Sequence, residues 1–273
     1  METYTLTTGR SVPAIGFGTW KITPDSEAKR CVTEALKAGY RVIDTAKIYG
    51  NERGVGEAIR ESDIPRDELF VTTKLWNDDQ GRHSTIKACQ ASLDRLGLDY
   101  VDLYLIHWPA SKRRFASWQD MAELLKQGKI KAAGVSNFTV EHLQELQAMS
   151  GLEPAVNQVE FHPYIYEQQN ELLSYCKQQN ILVEAYSPLS RLGDANTDTI
   201  KEIAGRINKT VQQVVLRWCI QHGTLPLPRS TNAEHIQHNF EVFDFQLSDK
   251  HMQTLNGLSD GERVTWDPAG MGN

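Results

Sequence analysis

The stretch RVIDTAKIYGNERGVGEAIRESDIPRDELFVTTKLW, residues 41–76, carries the pattern that decides the fold. Two short apolar runs, at 41–46 and 69–76, lie on either side of a segment at 51–62 that is typical of a helix. Strands that alternate with helices pair in parallel and are buried on both faces. The stretch therefore predicts a strand–helix–strand unit of an α/β protein.

The alternation continues and gives eight strands, each followed by a helix, after an N-terminal β-hairpin at TLTTGRSVP. Eight units predict a closed (β/α)8 TIM barrel, which folds as one domain at about 250 residues. We therefore expect a single domain over residues 1–273. The alternative is an open doubly wound sheet, but such a sheet normally carries GxGxxG, which this sequence lacks. The predicted strands cover residues 14–18, 41–46, 69–76, 101–108, 130–137, 155–161, 181–188 and 224–230.

Composition and charge argue against several classes of function. The chain is 40% apolar and 23% charged with a net charge of -6, and no basic tract suggests a nucleic-acid partner. Its densest basic run, at 112–114, is expected to be a solvated loop. The sequence has neither a run of 18 apolar residues nor the apolar core of a secretory signal. We therefore expect no membrane partner.

The cysteines indicate a reducing compartment. None of them forms a CxxC pair, and each lies in an apolar helical pattern. Buried free thiols are usual in proteins that fold in such a compartment. We therefore expect a cytoplasmic protein with four free thiols, at Cys31, Cys89, Cys176 and Cys219.

Polar side chains at the predicted strand ends indicate where chemistry occurs, because the active site of such a barrel lies at the carboxyl ends of its strands. A metal site would need further carboxylates or histidines there, and Ser136 and Ser187 are not expected to have the histidine partner of a triad. We therefore expect no metal and no nucleophilic triad. The candidates are Asp44, Lys74 and His107 at strand ends and Tyr49 in a loop.

This set suits proton donation by a tyrosine. A tyrosine has a pKa of roughly 10, and a nearby ammonium group stabilises the phenolate. We expect Lys74 to lower the pKa of Tyr49 and Asp44 to hold the lysine charged. The imidazole of His107 would orient a carbonyl oxygen or share the proton.

The chain resembles the aldo-keto reductase family over nearly its whole length. GYRVIDTAKIYGNERGVG, at 39–56, matches the family's first signature with Val42 as a minor departure. The motifs TTKLW, LIHWP, GVSNF, NQVEFHP, AYSPL and LPRS follow in the family's order, and the ordered set is highly specific. Within the family, the chain is most similar to short-looped bacterial reductases of the 2,5-diketo-gluconate and methylglyoxal type.

The resemblance implies reduction of small aldehydes, ketones or dicarbonyls, such as methylglyoxal and keto-sugars, with hydride from a nicotinamide. It implies that Tyr49 is the general acid, tuned by Lys74 and Asp44, and that His107 positions the substrate. The cofactor would lie extended across the barrel mouth without a Rossmann unit. The implied cofactor residues are Ser136, Asn137 and Gln158 at the carboxamide, Tyr186 against the ring, Ser187 and Leu189 beside it, and Arg229, Ser230, Thr231, His235 and Asn239 at the adenosine end.

Cofactor preference depends on the turn after the eighth strand. In the family pattern, a cation, a hydroxyl and a later arginine grip the 2′-phosphate of NADPH. Arg229 and Ser230 keep the first two, but His235 stands where the later arginine is expected. The lost charge-assisted hydrogen bond, about 1.5–3 kcal/mol, reduces the preference by roughly ten- to a hundredfold. We therefore expect NADPH as the cofactor, with NADH possible at reduced affinity.

Aromatic residues indicate a substrate pocket, because pockets for small ligands are largely apolar. Trp266, in the C-terminal tail, either caps this pocket or only docks on the barrel. The short loop at 109–116 implies an open pocket and broad specificity, and the resemblance implies a monomer. The expected pocket walls are Trp20, Trp76 and Trp108.

Three other functions compete with this interpretation. A Schiff-base aldolase would use Lys74 as its nucleophile, but a neighbouring Asp44 would keep the lysine charged. A cofactor-sensing channel subunit would bind the cofactor tightly and turn over slowly. A metal-dependent amidohydrolase would need HxH after the first strand, where the chain has GFGTW.

Overall fold

A computed structural model describes residues 2–149, 151–193 and 197–272. Strands β1 (Thr3–Thr5) and β2 (Ser11–Pro13) pair antiparallel as the predicted hairpin. The eight strands that follow form one parallel sheet in chain order, which confirms the predicted (β/α)8 barrel. They are β3 (Gly16–Gly18), β4 (Val42–Asp44), β5 (Phe70–Leu75), β6 (Val101–Ile106), β7 (Ile130–Ser136), β8 (Val156–Glu160), β9 (Leu182–Tyr186) and β10 (Leu225–Leu227).

Helices follow the strands and surround the barrel. Within the described ranges, none of them is long and apolar enough to cross a membrane. They are α1 (Asp25–Ala38), α2 (Glu52–Arg60), α3 (Ser84–Leu96), α4 (Arg113–Lys126), α5 (Val140–Met149), α6 (Tyr166–Gln178), α7 (Asp198–Ile207), α8 (Val211–Gln221), α9 (Ala233–Phe240) and α10 (Asp249–Asn256).

Glycines let the first and last strands of the barrel meet. The backbone N–H of Gly18 donates to Pro228 O at 3.0 Å. A Cβ on Gly16 would lie 2.6 Å from a methyl carbon of Leu227, and one on Gly18 would lie 3.1 Å from Leu227 O. A side chain at either position would therefore crowd Leu227, so glycine favours the close approach of β3 to β10 where the barrel closes.

The amino-terminal end of the barrel is filled with apolar side chains. Leu6 and Val12 of the hairpin segment cluster with Val42 and Phe70, the first residues of β4 and β5. Because the strands are parallel, the polar side chains that follow them lie at the opposite, carboxyl end. The thiols of all four cysteines are free and buried, as predicted.

The basic run at 112–114 is only in part the solvated loop that we expected, because Lys112 and Arg113 are exposed but Arg114 is buried. The sequence predicts a helix over residues 117–128 here, but α4 begins at Arg113, and Arg114 is 1% exposed. The Arg114 guanidinium pairs with Glu145 of α5 and donates to Gly272 O. A buried arginine needs such partners, and the C-terminal tail supplies one of them.

The sequence predicts one long helical region between the strand at 181–188 and Gln221, but the structure forms two helices there. Asn208 adopts a left-handed φ of 53° and ends α7, and the Thr210 side chain caps α8 together with Gln213. Residues 194–196 of this region lie outside the described residues. Helix α10, which the sequence analysis did not identify, is capped by Ser248, whose hydroxyl accepts from His251 N.

Candidate active site

A cavity of about 660 Å³ opens at the carboxyl ends of the strands. Its polar wall comes from the loops after β4, β6, β7 and β9, and its apolar wall is largely aromatic. The structure therefore brings most of the predicted site residues together. Those that line the cavity are Trp20, Asp44, Tyr49, Trp76, His107, Trp108, Ser136, Asn137, Gln158, Tyr186, Ser187, Leu189, Arg229 and Trp266.

A buried ion pair forms the base of the polar wall. Lys74 Nζ, which is fully buried, donates to both carboxylate oxygens of Asp44, at 2.6 and 2.7 Å, and to Thr45 O at 3.0 Å. Burial alone would lower the pKa of Lys74, but the adjacent Asp44 carboxylate raises it above its ordinary value. The Asp44 carboxylate therefore favours the charged form of the lysine.

The Tyr49 hydroxyl lies next to this ammonium group. A short 3-10 turn, Lys47–Tyr49, follows β4 and ends at Gly50 with a φ of 68°. The turn places the Tyr49 hydroxyl 3.3 Å from Lys74 Nζ, which donates to it. Burial raises the pKa of Tyr49, and the charge of Lys74 offsets this rise only in part. The lysine acts in the expected direction, but the net shift is upward.

His107 follows β6 and faces both the acid candidate and an aromatic wall. Its ring centroid is 5.8 Å from that of Tyr49 and 5.3 Å from that of Trp76. Burial, and then the positive charge of Lys74, hold the pKa of His107 well below its ordinary range. A neutral imidazole can orient a carbonyl oxygen by a hydrogen bond, but it holds no spare proton at neutral pH.

Ser136 and Asn137 bring hydroxyl and amide groups to the wall beside His107. Asn137 takes a left-handed φ of 63° directly after β7. Its side-chain amide donates to His107 O at 3.0 Å, and its carbonyl accepts from the Tyr186 hydroxyl at 2.8 Å. Ser136 Oγ donates to Gln158 O at 2.8 Å. These hydrogen bonds fix the side chains of Ser136 and Asn137 relative to His107 and Tyr186.

A buried glutamate that was not predicted from the sequence lies next to Gln158, behind the polar wall of the cavity. Gln158 Nε2 donates to Asp44 Oδ2 at 2.8 Å and to Glu184 Oε2 at 2.7 Å. Burial, and then the negative charge of Asp44, raise the pKa of Glu184 to about 7. Glu184 stands two residues before Tyr186 in β9, so the two share a face of the strand. That spacing was a signal that could have identified it.

A second buried glutamate, also missed, binds the C-terminal tail. Glu160 accepts from Val264 N at 2.8 Å, Thr265 N at 3.2 Å and Thr265 Oγ1 at 2.6 Å. Thr265 Oγ1 also bonds the Tyr186 hydroxyl at 2.8 Å. Trp266 then packs on Trp108, with ring centroids 5.4 Å apart, and lines the cavity.

Most of the residues expected at the adenosine end of the cofactor lie outside the cavity. Arg229 is exposed and lines the cavity, whereas Ser230, Thr231, His235 and Asn239 do not line it. Ser230 and Thr231 precede α9, which begins at Ala233, whereas His235 and Asn239 lie within it. Thr231 and His235 are exposed, and Asn239 is buried. This arrangement is open enough for an extended ligand that continues outward from the cavity.

The fold and this site define a barrel reductase. Residues 14–260 match the Aldo/keto reductase family, and the chain belongs to that family. It is an oxidoreductase that uses a nicotinamide cofactor and acts on carbonyl compounds.

Individual relatives cover almost the whole chain. The chain is 46% identical to glyoxal reductase of Bacillus subtilis (strain 168), covering 98% of this chain and 96% of the relative. It is 46% identical to 9,11-endoperoxide prostaglandin H2 reductase of Trypanosoma cruzi, covering 94% and 91%. A crystal structure of an aldo/keto reductase from Brucella melitensis superposes with a TM-score of 0.90 at 45% identity, covering 94% and 99%. The structure of a Bombyx mori aldo-keto reductase in complex with NADP superposes with a TM-score of 0.91 at 35% sequence identity. The match covers 97% of this chain and 94% of the Bombyx mori chain.

Proposed function

We propose that this chain reduces small aldehydes, ketones and dicarbonyls with NADPH and that Tyr49 supplies the proton. One observation carries the proposal. The Tyr49 hydroxyl lies 3.3 Å from a buried Lys74 ammonium that is itself bound to both oxygens of Asp44. A phenolate formed at this position is stabilised directly by a fixed positive charge.

The cavity wall fits a nicotinamide. Gln158 uses both of its amide hydrogens on Asp44 and Glu184, so its carbonyl oxygen is the group left to accept from a carboxamide. Ser136 offers a hydroxyl beside it, and the Tyr186 ring offers a flat surface. A bound nicotinamide supplies the hydride that reduces the carbonyl carbon.

Side chains of this protein then orient the substrate and transfer one proton to it. Neutral His107 donates a hydrogen bond that orients the carbonyl oxygen next to Tyr49. As negative charge develops on that oxygen, the Tyr49 hydroxyl transfers its proton to it and the phenolate remains beside Lys74. Asp44 keeps the lysine protonated throughout. The tyrosine regains a proton from solvent after the alcohol leaves.

The cofactor is NADPH, with NADH possible at reduced affinity. Among the similar solved structures, the Bombyx mori enzyme is a complex with NADP and a Gox0644 variant is a complex with NADPH. Arg229 and Ser230 supply a cation and a hydroxyl for a 2′-phosphate, as the sequence predicts. His235, exposed on α9, takes the place of a second cation.

The substrates are small and varied, with methylglyoxal and keto-sugars such as 2,5-diketo-gluconate as candidates. The Bacillus subtilis relative is named a glyoxal reductase, which favours dicarbonyls. Trp20, Trp76 and Trp108 line the cavity and provide apolar surface. We also propose that residues 1–273 form one domain, that the protein is a monomer, and that it works in the cytoplasm.

Initial rates of loss of NADPH absorbance test this function, with methylglyoxal, glyoxal and a simple aromatic aldehyde as substrates. We expect turnover with all three, and faster turnover with NADPH than with NADH. Absence of turnover across this panel would contradict the proposal.

The same samples, treated with borohydride, test the aldolase alternative. Reduction of an imine on Lys74 would leave a stable adduct, detectable as a mass increase. We expect none, because the Asp44 carboxylate holds Lys74 charged and a charged amine is no nucleophile.

A further inference from the structure

Glu184 is a buried carboxyl group with no part in the proton transfer. Its side chain is 1% exposed, and one oxygen accepts from Gln158 Nε2 at 2.7 Å. The other oxygen, Oε1, has no hydrogen-bond partner among the described residues. A carboxyl group that is buried with half of its hydrogen-bonding capacity unused weakens the fold, and groups of this kind cluster at functional sites.

The amide of Gln158 is held between two carboxyl groups. Its nitrogen donates to Asp44 at 2.8 Å and to Glu184 at 2.7 Å. With the amide turned over, its oxygen would face both of these acceptors, so the observed orientation is strongly preferred. Asp44 fixes the amide from one side and Glu184 from the other, and Gln158 lines the cavity.

Asp44, Lys74, Gln158 and Glu184 form a buried cluster, and the net charge of this cluster depends on whether Glu184 is ionised. The charged side chains that act on it are Asp44 of β4 and Lys74 of β5, and these two charges cancel. Its register partners on the adjacent strands, Gln158 of β8 and Leu225 of β10, are neutral. An ionised Glu184 therefore leaves this cluster with one net negative charge, in a part of the barrel where charges are poorly screened.

We propose that Glu184 is a positioning residue for the nicotinamide: it orients the Gln158 amide, and its negative charge favours the oxidised, positively charged ring over the reduced, neutral ring. This inference rests on the proposed function, because it requires the nicotinamide to bind against Gln158. Burial and the charge of Asp44 bring the pKa of Glu184 to about 7, so its charge changes within the range of pH at which binding is easily measured.

Cofactor binding to the intact protein tests the inference without any turnover. Quenching of tryptophan fluorescence gives Kd for NADPH and for NADP+ at pH 6 and pH 8, since several tryptophans line the cavity. In the wild type, we expect the ratio of Kd for NADPH to Kd for NADP+ to rise about three- to tenfold between these pH values. Titration of the 2′-phosphate cancels in this ratio because both cofactors carry it.

Variants of the protein identify the group that makes this ratio depend on pH. Glu184→Gln keeps the shape but cannot ionise, and we expect a ratio that is independent of pH. Glu184→Met, of similar length, is expected to give the same flat ratio and serves if the glutamine variant does not fold. Glu52→Gln, which removes a buried carboxylate on α2 that bonds Thr73 and Arg95, is the matched control and should keep the wild-type rise.

A flat ratio in the wild type, or a wild-type rise in Glu184→Gln, would overturn the inference. Failure of the wild type to bind either cofactor would instead overturn the proposed function, and this inference with it. The two failures are thus distinguishable in one set of titrations.

Discussion

At the scale of single residues, burial opposes the proton transfer that we assign to Tyr49. Burial raises the pKa of Tyr49, which makes the phenolate harder to form. Lys74 counteracts this effect because its ammonium is held 3.3 Å from the hydroxyl and cannot be screened by water. The position of one lysine therefore decides whether the tyrosine can act as an acid near neutral pH.

His235 gives a prediction on cofactor choice. Replacing it with arginine places a second cation where the family pattern has one, and an arginine–phosphate bond is worth about 1.5–3 kcal/mol. We expect His235→Arg to lower Kd for NADPH by roughly tenfold or more and to leave Kd for NADH nearly unchanged. Fluorescence titrations with both cofactors measure this. Equal changes for the two would show that position 235 does not face the 2′-phosphate.

Glu184 gives a prediction on stability. Its pKa is about 7 in the folded protein, against an ordinary value of 4.5. The folded state therefore binds a proton that the unfolded chain has already released, so this stabilisation is complete at low pH and is lost as pH rises towards and through 7. The loss is on the order of 3 kcal/mol.

The glutamine variant isolates that contribution. We expect the free energy of unfolding to fall more between pH 5 and pH 8 in the wild type than in Glu184→Gln, measured by urea denaturation. Equal decreases in the two proteins would mean that Glu184 is ionised throughout this range.

At the scale of elements, the C-terminal tail is fastened to the barrel by Glu160. Burial would raise the pKa of this carboxyl group, but hydrogen bonds from His162, Thr265 and Val264 lower it below its ordinary value. An ionised carboxylate accepts from all three, whereas a glutamine side chain has one accepting oxygen. The tail therefore depends on a charge supplied by β8.

Limited trypsin digestion tests this attachment. We expect Glu160→Gln to increase the rate of cleavage after Arg263 severalfold, because release of Val264 and Thr265 exposes that bond. Mass spectrometry of the released tail measures the rate. Glu171→Gln, an exposed substitution on α6, is the control and should cleave like the wild type. No difference between the two variants would show that the tail is held by other contacts.

The strands were predictable from the sequence, and the helix ends were less so. Each strand is an apolar run bounded by turn residues, and that signal is local. The start of α4 was missed because Arg114 looks like a surface residue, and only Glu145 and Gly272, distant in sequence, explain its burial. The division at Asn208 depends on a left-handed backbone conformation, which asparagine tolerates but does not require.

At the scale of the whole molecule, the barrel topology made the central site predictable. Once the strands are parallel and closed, their carboxyl ends must converge, so Asp44, Lys74 and His107 meet although they are far apart in sequence. The contacts of Glu160 and Glu184 were not predictable in the same way. They depend on the path of the C-terminal tail and on which side chains share the barrel interior.

Replacing Tyr49 with phenylalanine tests whether this tyrosine is the proton donor. The measurement is the rate of NADPH oxidation with methylglyoxal at pH 7, for the wild type and the variant, with Kd for NADPH from fluorescence as the control for an intact site. We expect the rate to fall by roughly a hundredfold or more, as loss of a general acid requires, with Kd changed little. A variant that binds NADPH normally and reduces methylglyoxal at a rate near that of the wild type would show that Tyr49 is not the proton donor.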